Sequence, residues 1–319
     1  MTTKNKLITA SILSTSSIII TSLINKYIKL SAVSKNILSN STEFSKNIFH
    51  WRLGDIYYTK TGSGKPLLLV HDLDAASSSY EWHKIIPALS KDYTVYTLDL
   101  LGCGQSEKPC LTYTNYVYVQ LISDFIKSEI GHRTDVIATG GSSSFVIMAC
   151  SGTPDLFNRL MLINPESIGA CSHLPGTYSK YYKRFLDFPI TGTLLYHIAV
   201  SKQSLKDTFA NTYFANQKYI KDSAIEAYYE AAHLGLSPKS VYACVRCNYT
   251  KCNITHGLKK IDNTIFLVGG SQKEDIKETL SEYVSCNPAI EYSIISGTNH
   301  LPQLEKPAEF LSNLSTFFT

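Results

Sequence analysis

Three consecutive serines, Ser142 to Ser144, follow two glycines in the stretch "GGSSSF" (140–145). A serine hydroxyl is a weak nucleophile unaided. It needs a base, a turn that exposes Oγ, and donors for the oxyanion that forms when it attacks a carbonyl. His300, in "SGTNHLPQLEKP", can be that base, and His71, in "LLLVHDLD", ends another apolar run. Carboxylates able to orient a histidine stand at Glu166 in "LINPES" and at Glu274 and Asp275 in "LVGGSQKEDIKE". A serine, a histidine and an acid are the residue types that acyl transfer needs.

Such groups act only if the fold brings them together. Apolar runs at 66–70, 93–98 and 135–139, then "NRLMLINPE", "NTIFLVGGS" and "EYSIISGTNH", read as strands. Segments such as "YVYVQLISDFIKSEI", "SFVIMAC" and "KPAEFLSNLSTFF" have helical spacing and alternate with them. That alternation predicts an α/β fold, a doubly wound, mostly parallel sheet. From 166 to 257 the strand signals stop, and Tyr-rich helical segments such as "AIEAYYEAAH" predict an inserted helical cap. The expected organisation is an N-terminal segment (1–30), a polar linker (31–47), a core (48–165 and 258–319) and the cap (166–257). An open parallel sheet binds its ligand at the carboxyl ends of its strands, where the serine, histidine and acidic loops all lie.

Two of those loops, "DLLGCGQSEKP" and "GTNHLPQLEKPAEF", resemble the Asp-x-x-Gly-x-Gly-x-Ser loop and the histidine loop of the α/β-hydrolase family, here in its capped serine hydrolase, esterase, lipase and haloperoxidase branch. The resemblance covers about 48 to 319. It implies a Ser-His-acid hydrolase acting on a small ester or acyl substrate through an acyl-enzyme, with no cofactor. The family's Gly-x-Ser-x-Gly elbow, registered on Gly140-Gly141-Ser142-Ser143-Ser144, implies Ser142 as nucleophile; a register with Ser143 leaves Phe145 where a small residue is needed. His300 becomes the base. The backbone N–H groups of Ser143 and Leu73 become the oxyanion donors, with His71 shaping that loop and Asp72, in place of the family's glycine, facing away. The family's Gly-x-x-Asp reads Gly270-Ser271-Gln272-Lys273 here, so the acid stays open between Glu274, Asp275 and Glu166. The absence of an aspartate at 142 argues against dehalogenase and epoxide-hydrolase chemistry. The altered elbow leaves a non-catalytic binding protein as the alternative, and a membrane-tethered lipase as a third reading.

The 319 residues carry 30 Lys+Arg and 26 Asp+Glu, a net charge of +4 without a long basic block, which gives nucleic-acid binding no support. Residues 7–25 hold no charge and are flanked by lysines at 4, 6, 26 and 29. That length suits a membrane anchor, with a cleaved signal or a helix packed on the domain as alternatives, and without an anchor the chain is cytoplasmic or secreted. Cys244, Cys247 and Cys252, with His256 within reach, lack the second ligand pair of a zinc site, and the cysteines read instead as apolar filler in a cap or connecting helix.

Overall fold

The computed structural model describes residues 3–40 and 45–318. Among them eight strands form one sheet: β1 (Ser45–Trp51), β2 (Gly54–Thr61), β3 (Lys65–Val70), β4 (Tyr93–Leu98), β5 (Thr134–Thr139), β6 (Phe157–Ile163), β7 (Ile265–Gly270) and β8 (Glu291–Ile295). Their order is β1-β2-β4-β3-β5-β6-β7-β8. The first hairpin and the β2–β4 pairing are antiparallel, and every pairing from β4 through to β8 is parallel. The fold is a doubly wound α/β sheet with a helical cap inserted between β6 and β7.

Successive strand residues point to opposite faces, and both faces are covered, which is why these strands read as unbroken apolar runs. Leu67, Leu69, Ile137 and Ile163 pack with Trp82 and with Phe310 of the last helix, Pro307–Phe318. Leu68, Val70, Val136 and Leu162 pack on the other side with Tyr118, Phe125, Phe145 and Ile147. Each buried side chain of this size contributes roughly 1.5–3 kcal/mol. The sheet is therefore a rigid frame for the loops at its carboxyl edge.

The chain runs from β3 outward to β4 and then returns to place β5 on the other side of β3. This switch point opens a crevice beyond the strand ends. Val70 pairs with Ala138 across β3 and β5, so the next residues in register bring Asp72 beside Gly140. Thr139 pairs with Ile163, which brings Asn164 and the β6–cap loop to the same edge.

The anchor expected at 7–25 falls mostly on residues 7–17, whose side chains lie outside the described ones. Thr3–Val33 is helical, yet among the described residues no helix is long and apolar enough to cross a membrane. Its C-terminal end is fastened to the cap, where Lys29 Nζ donates to Gly235 O (2.6 Å) and Ala32 is buried. The expected linker also carries structure: Ile37–Asn40 is a helical turn whose Ile37 N–H donates to Glu230 (2.7 Å), and β1 starts at Ser45. The parts of these two segments at 1–2 and 41–44 lie outside the described residues.

Candidate active site

β5 turns sharply into the helix Ser142–Gly152 at Gly140, whose φ is +56°. This left-handed conformation is costly for a residue with a Cβ and open to glycine. It is the apex of the elbow, the place from which a nucleophile side chain points out over the sheet. The residue there is Gly140. The elbow register is therefore Ala138-Thr139-Gly140-Gly141-Ser142, two residues earlier than the register that made Ser142 the nucleophile. Ser142 instead fills the second small position of the pattern: it is fully buried, and its Oγ donates to His71 O (2.7 Å). Nor does Ser143 face an oxyanion, because its N–H donates to Gly140 O (3.2 Å) in the first turn of the helix.

The space over Gly140 belongs to Asp72. A Cβ built on Gly140 would lie 2.4 Å from the Asp72 carboxylate carbon and from each of its oxygens. The carboxylate does not face away, as the sequence reading has it. Its Oδ1 accepts from the backbone N–H groups of Gly141 (2.9 Å) and Leu73 (2.8 Å), and its Oδ2 meets His300 Nε2 at 2.7 Å. Of the two N–H groups expected to act as donors, that of Leu73 points at this carboxylate and that of Ser143 does not; the second N–H on it is that of Gly141, the residue after the apex. Burial alone would raise the Asp72 carboxyl, but the bond and charge of His300, the Gly141 N–H and the charge of Lys273 hold it below its ordinary value. The carboxylate is held ionised with one oxygen on two backbone N–H groups.

Neighbouring groups fix this arrangement. His71 is buried, donates from Nδ1 to Asp72 O (2.7 Å) and accepts the Leu100 N–H at Nε2 (3.0 Å), so it shapes the loop as expected. Asp99 braces its own turn through the N–H groups of Gln105 (2.7 Å) and Ser79 (2.6 Å). The Asp72 N–H donates to Glu81, whose other oxygen accepts from Gln303 (2.7 Å). Burial, with the charge of Asp72 adding to it, pushes the Glu81 carboxyl up to about 8, so it is mostly protonated at neutral pH.

His300 sits on the loop after β8, with Tyr213 of the cap stacked on its ring at 5.5 Å. Asn164, which sequence reasoning missed, pins that loop: its Nδ2 donates to the carbonyls of Asn299 and His300 (both 2.9 Å), and its Oδ1 accepts the Gly270 N–H. The one signal in the sequence is an asparagine closing β6, since Asn tolerates the left-handed φ of +46° found there.

None of the three proposed acids is bonded to His300. Glu166 pairs with Lys251. Glu274 and Asp275 are exposed where the helix Ile276–Cys286 begins. At the fourth place of the Gly270–Lys273 turn stands Lys273, whose Nζ donates to Asn164 O (2.7 Å). Burial lowers its ammonium to about 8, against the pull of Asp72 and Glu166. The carboxylate that His300 meets is Asp72.

A cavity of about 130 Å³ opens beside this pair, lined by Asp72, Asp74, Phe145, Glu166, Tyr213 and Lys251 among others. Among the described residues no cluster of three or more His, Cys, Asp or Glu side chains could hold a metal ion. Cys244, Cys247 and Cys252 are buried.

The model of the alpha/beta hydrolase family matches residues 67–313. The chain belongs to this family. Relatives with a named activity include hydrolases of several kinds. Over 115 residues it is 38% identical to 2-hydroxy-6-oxo-6-(2'-aminophenyl)hexa-2,4-dienoic acid hydrolase of Metapseudomonas resinovorans, covering 35% of this chain and 39% of that protein. Over 110 residues it is 32% identical to a soluble epoxide hydrolase of Corynebacterium sp. (strain C12), covering 34% and 37%. These alignments thus span under two fifths of either relative. Among solved structures, the epoxide hydrolase CorEH superposes with a TM-score of 0.70 at 21% identity, covering 86% of this chain and 99% of the other. Naproxen esterase from Bacillus subtilis gives 0.65 at 18% identity, covering 92% and 98%. At these identities the superpositions speak for the alpha/beta hydrolase fold alone.

Proposed function

We propose that this alpha/beta hydrolase acts on a small molecule and that its working pair is Asp72 and His300, not Ser142 and His300. The observation that carries this reading is the Asp72 carboxylate, held over the glycine of the elbow with one oxygen on two backbone N–H groups and the other on His300 Nε2. In a serine hydrolase the same two N–H groups receive the substrate oxyanion and the same histidine nitrogen receives the seryl proton. Here both are engaged by a side chain of the protein. An acyl-enzyme on Ser142 finds no support in this geometry, because its hydroxyl is buried against His71 O.

The pair can hold and move a proton at His300 Nε2, and the oxyanion hole stabilises negative charge on the oxygen it contains. A cavity of about 130 Å³ suits a substrate of few heavy atoms rather than a long acyl chain, which speaks against the lipase reading. The competing reading, a fold kept for binding alone, draws on Gly140 and Lys273 standing where the nucleophile and acid would be.

A panel of short esters, epoxides, haloalkanes and vinylogous diketones, assayed with wild type, Asp72→Asn and His300→Gln, tests the proposal. Turnover of at least one panel member that is lost in both variants supports it. Turnover unchanged in both would remove it, and binding without any turnover would favour the non-catalytic reading. A fluorophosphonate, which needs an activated serine, leaves the protein unlabelled on this account.

A further inference from the structure

We propose that this protein docks on the surface of anionic lipid bilayers through the outward faces of three neighbouring helices, two in the cap and one N-terminal. This docking does not depend on the Asp72–His300 reading. The apolar pattern of these helices is turned inside out. A helix on the surface of a globular protein normally buries its apolar stripe and shows its polar face to water. In the cap helix Thr177–Asp187 the stripe at spacing i, i+3, i+4, i+7 is Tyr178, Tyr181, Tyr182 and Phe185, and all four are exposed, Tyr178 to 88%. Its inward side is Ser179, Lys183 and Leu186, of which Leu186 packs with Ala243 and Cys247. In the next helix, Thr191–Ala199, Leu194, Leu195 and Ile198 are exposed while Gly192 and Tyr196 are buried. In the N-terminal helix Ile20, Leu23, Ile24, Tyr27 and Leu30 are exposed, whereas the polar Thr21 and Asn25 are half-buried and Ala32 is buried.

The three helices adjoin. Asn25 and Lys29 share the walls of one cavity of about 160 Å³ with Tyr196, His197 and Leu236. Thr177–Asp187 packs on Thr191–Ala199, and Lys239 ties the two together by donating to Asp187 O (3.0 Å) and Thr193 Oγ1 (3.1 Å). Leu236, 86% exposed, adds to the apolar surface at the cavity. Single exposed apolar side chains are ordinary, but outward stripes on three adjoining helices mark a surface that is covered in use.

Charge and residue type point to what covers it. Lys26, Lys29, Lys180 and Arg184 are exposed on the same helices. Residues 18–33 contain no Asp or Glu, and the acid within 168–201, Asp187, is paired with Lys183 (2.6 Å). A second copy docked face to face would set these cations against their own equivalents, whereas anionic headgroups complement them. Tyrosine rings suit the boundary between headgroups and acyl chains, and Lys and Arg stems lie along apolar surface with their charges in water. The two cap helices, 11 and 9 residues long, are far shorter than the roughly 20 residues that span a bilayer, so their stripes lie in its plane.

The test uses the full chain with vesicles of phosphatidylcholine alone and of phosphatidylcholine mixed with phosphatidylglycerol. In co-sedimentation at low salt the protein should bind the mixed vesicles about tenfold or more tightly than the neutral ones, and about 0.5 M salt should remove most of that difference. Phe185→Trp and Leu194→Trp should each add a blue-shifted emission on the mixed vesicles that wild type, with its buried Trp51 and Trp82, lacks. Tyr181→Glu combined with Phe185→Glu and Ile198→Glu changes exposed positions, should leave the melting temperature unchanged, and should weaken binding by about tenfold or more. Lys180→Glu combined with Arg184→Glu, which alters no apolar side chain, should weaken binding to the mixed vesicles alone. Failure to bind either vesicle would overturn the proposal, as would tryptophans at 185 and 194 that stay in water. Equal binding to both vesicles, indifferent to salt, would overturn the anionic surface. Binding that both multiple variants keep would place the contact elsewhere on the chain. A dimer in the ultracentrifuge that the triple variant dissociates, with no vesicle binding, would make a second copy the occupant instead.

Discussion

The elbow after β5 and the loop after β3 face each other across the switch point of the sheet, and they depart from the family pattern in opposite directions. The elbow has lost a side chain, since its apex is Gly140 at φ +56°. The facing loop has gained one, since Asp72 stands where the family has a glycine. The ladder from Val70 to Ala138 keeps the two positions side by side, so the added carboxylate occupies the room that the missing side chain left. The comparison teaches that a rigid sheet edge can keep a reactive group in place while the residue that provides it changes loop. It also accounts for His300: with a lysine at 273, its charged partner is on the Nε2 side.

The largest effect should come from emptying the gained position. Asp72→Asn should lower turnover by about 10³-fold or more, on the scale seen when a catalytic group is removed, with the fold intact by thermal melting. Reversing the exchange sharpens the comparison. Gly140→Ser alone puts a Cβ into the carboxylate and into a left-handed backbone, and should destabilise by about 1–3 kcal/mol in denaturant melts. Gly140→Ser combined with Asp72→Gly removes the collision, should recover much of that loss, and should gain fluorophosphonate labelling that neither single variant shows. Ser142→Ala should cost about 1 kcal/mol, the worth of its bond to His71 O, and change turnover little.

The smallest effect concerns Glu81, which holds the Asp72 N–H. Its folded value of about 8 lies above its ordinary value of 4.5, so between these the folded state binds more protons than the unfolded one. Its contribution to stability is thus complete below about pH 4.5 and is lost as pH rises toward 8. Glu81→Gln should flatten the decline in melting temperature between pH 5 and pH 8; an unchanged slope would show that Glu81 does not carry that proton.

The sheet was legible because its strands are buried on both faces and leave apolar runs that alternate with helical spacing. The loops that carry most of these residues were legible too: His300 follows β8 and Leu73 follows β3. The elbow register was not, because it depends on which residue takes the positive φ. A glycine next to three serines reads as a spacer, although it is the apex. The direction of Asp72 follows from the space over Gly140, which no local pattern records.

The most direct test of the central claim sets Asp72→Asn and Ser142→Ala side by side on one substrate that the wild type turns over. The account predicts that the asparagine variant loses activity while the alanine variant stays within a few-fold of wild type. An active asparagine variant beside a dead, folded alanine variant would contradict it and return the nucleophile to Ser142.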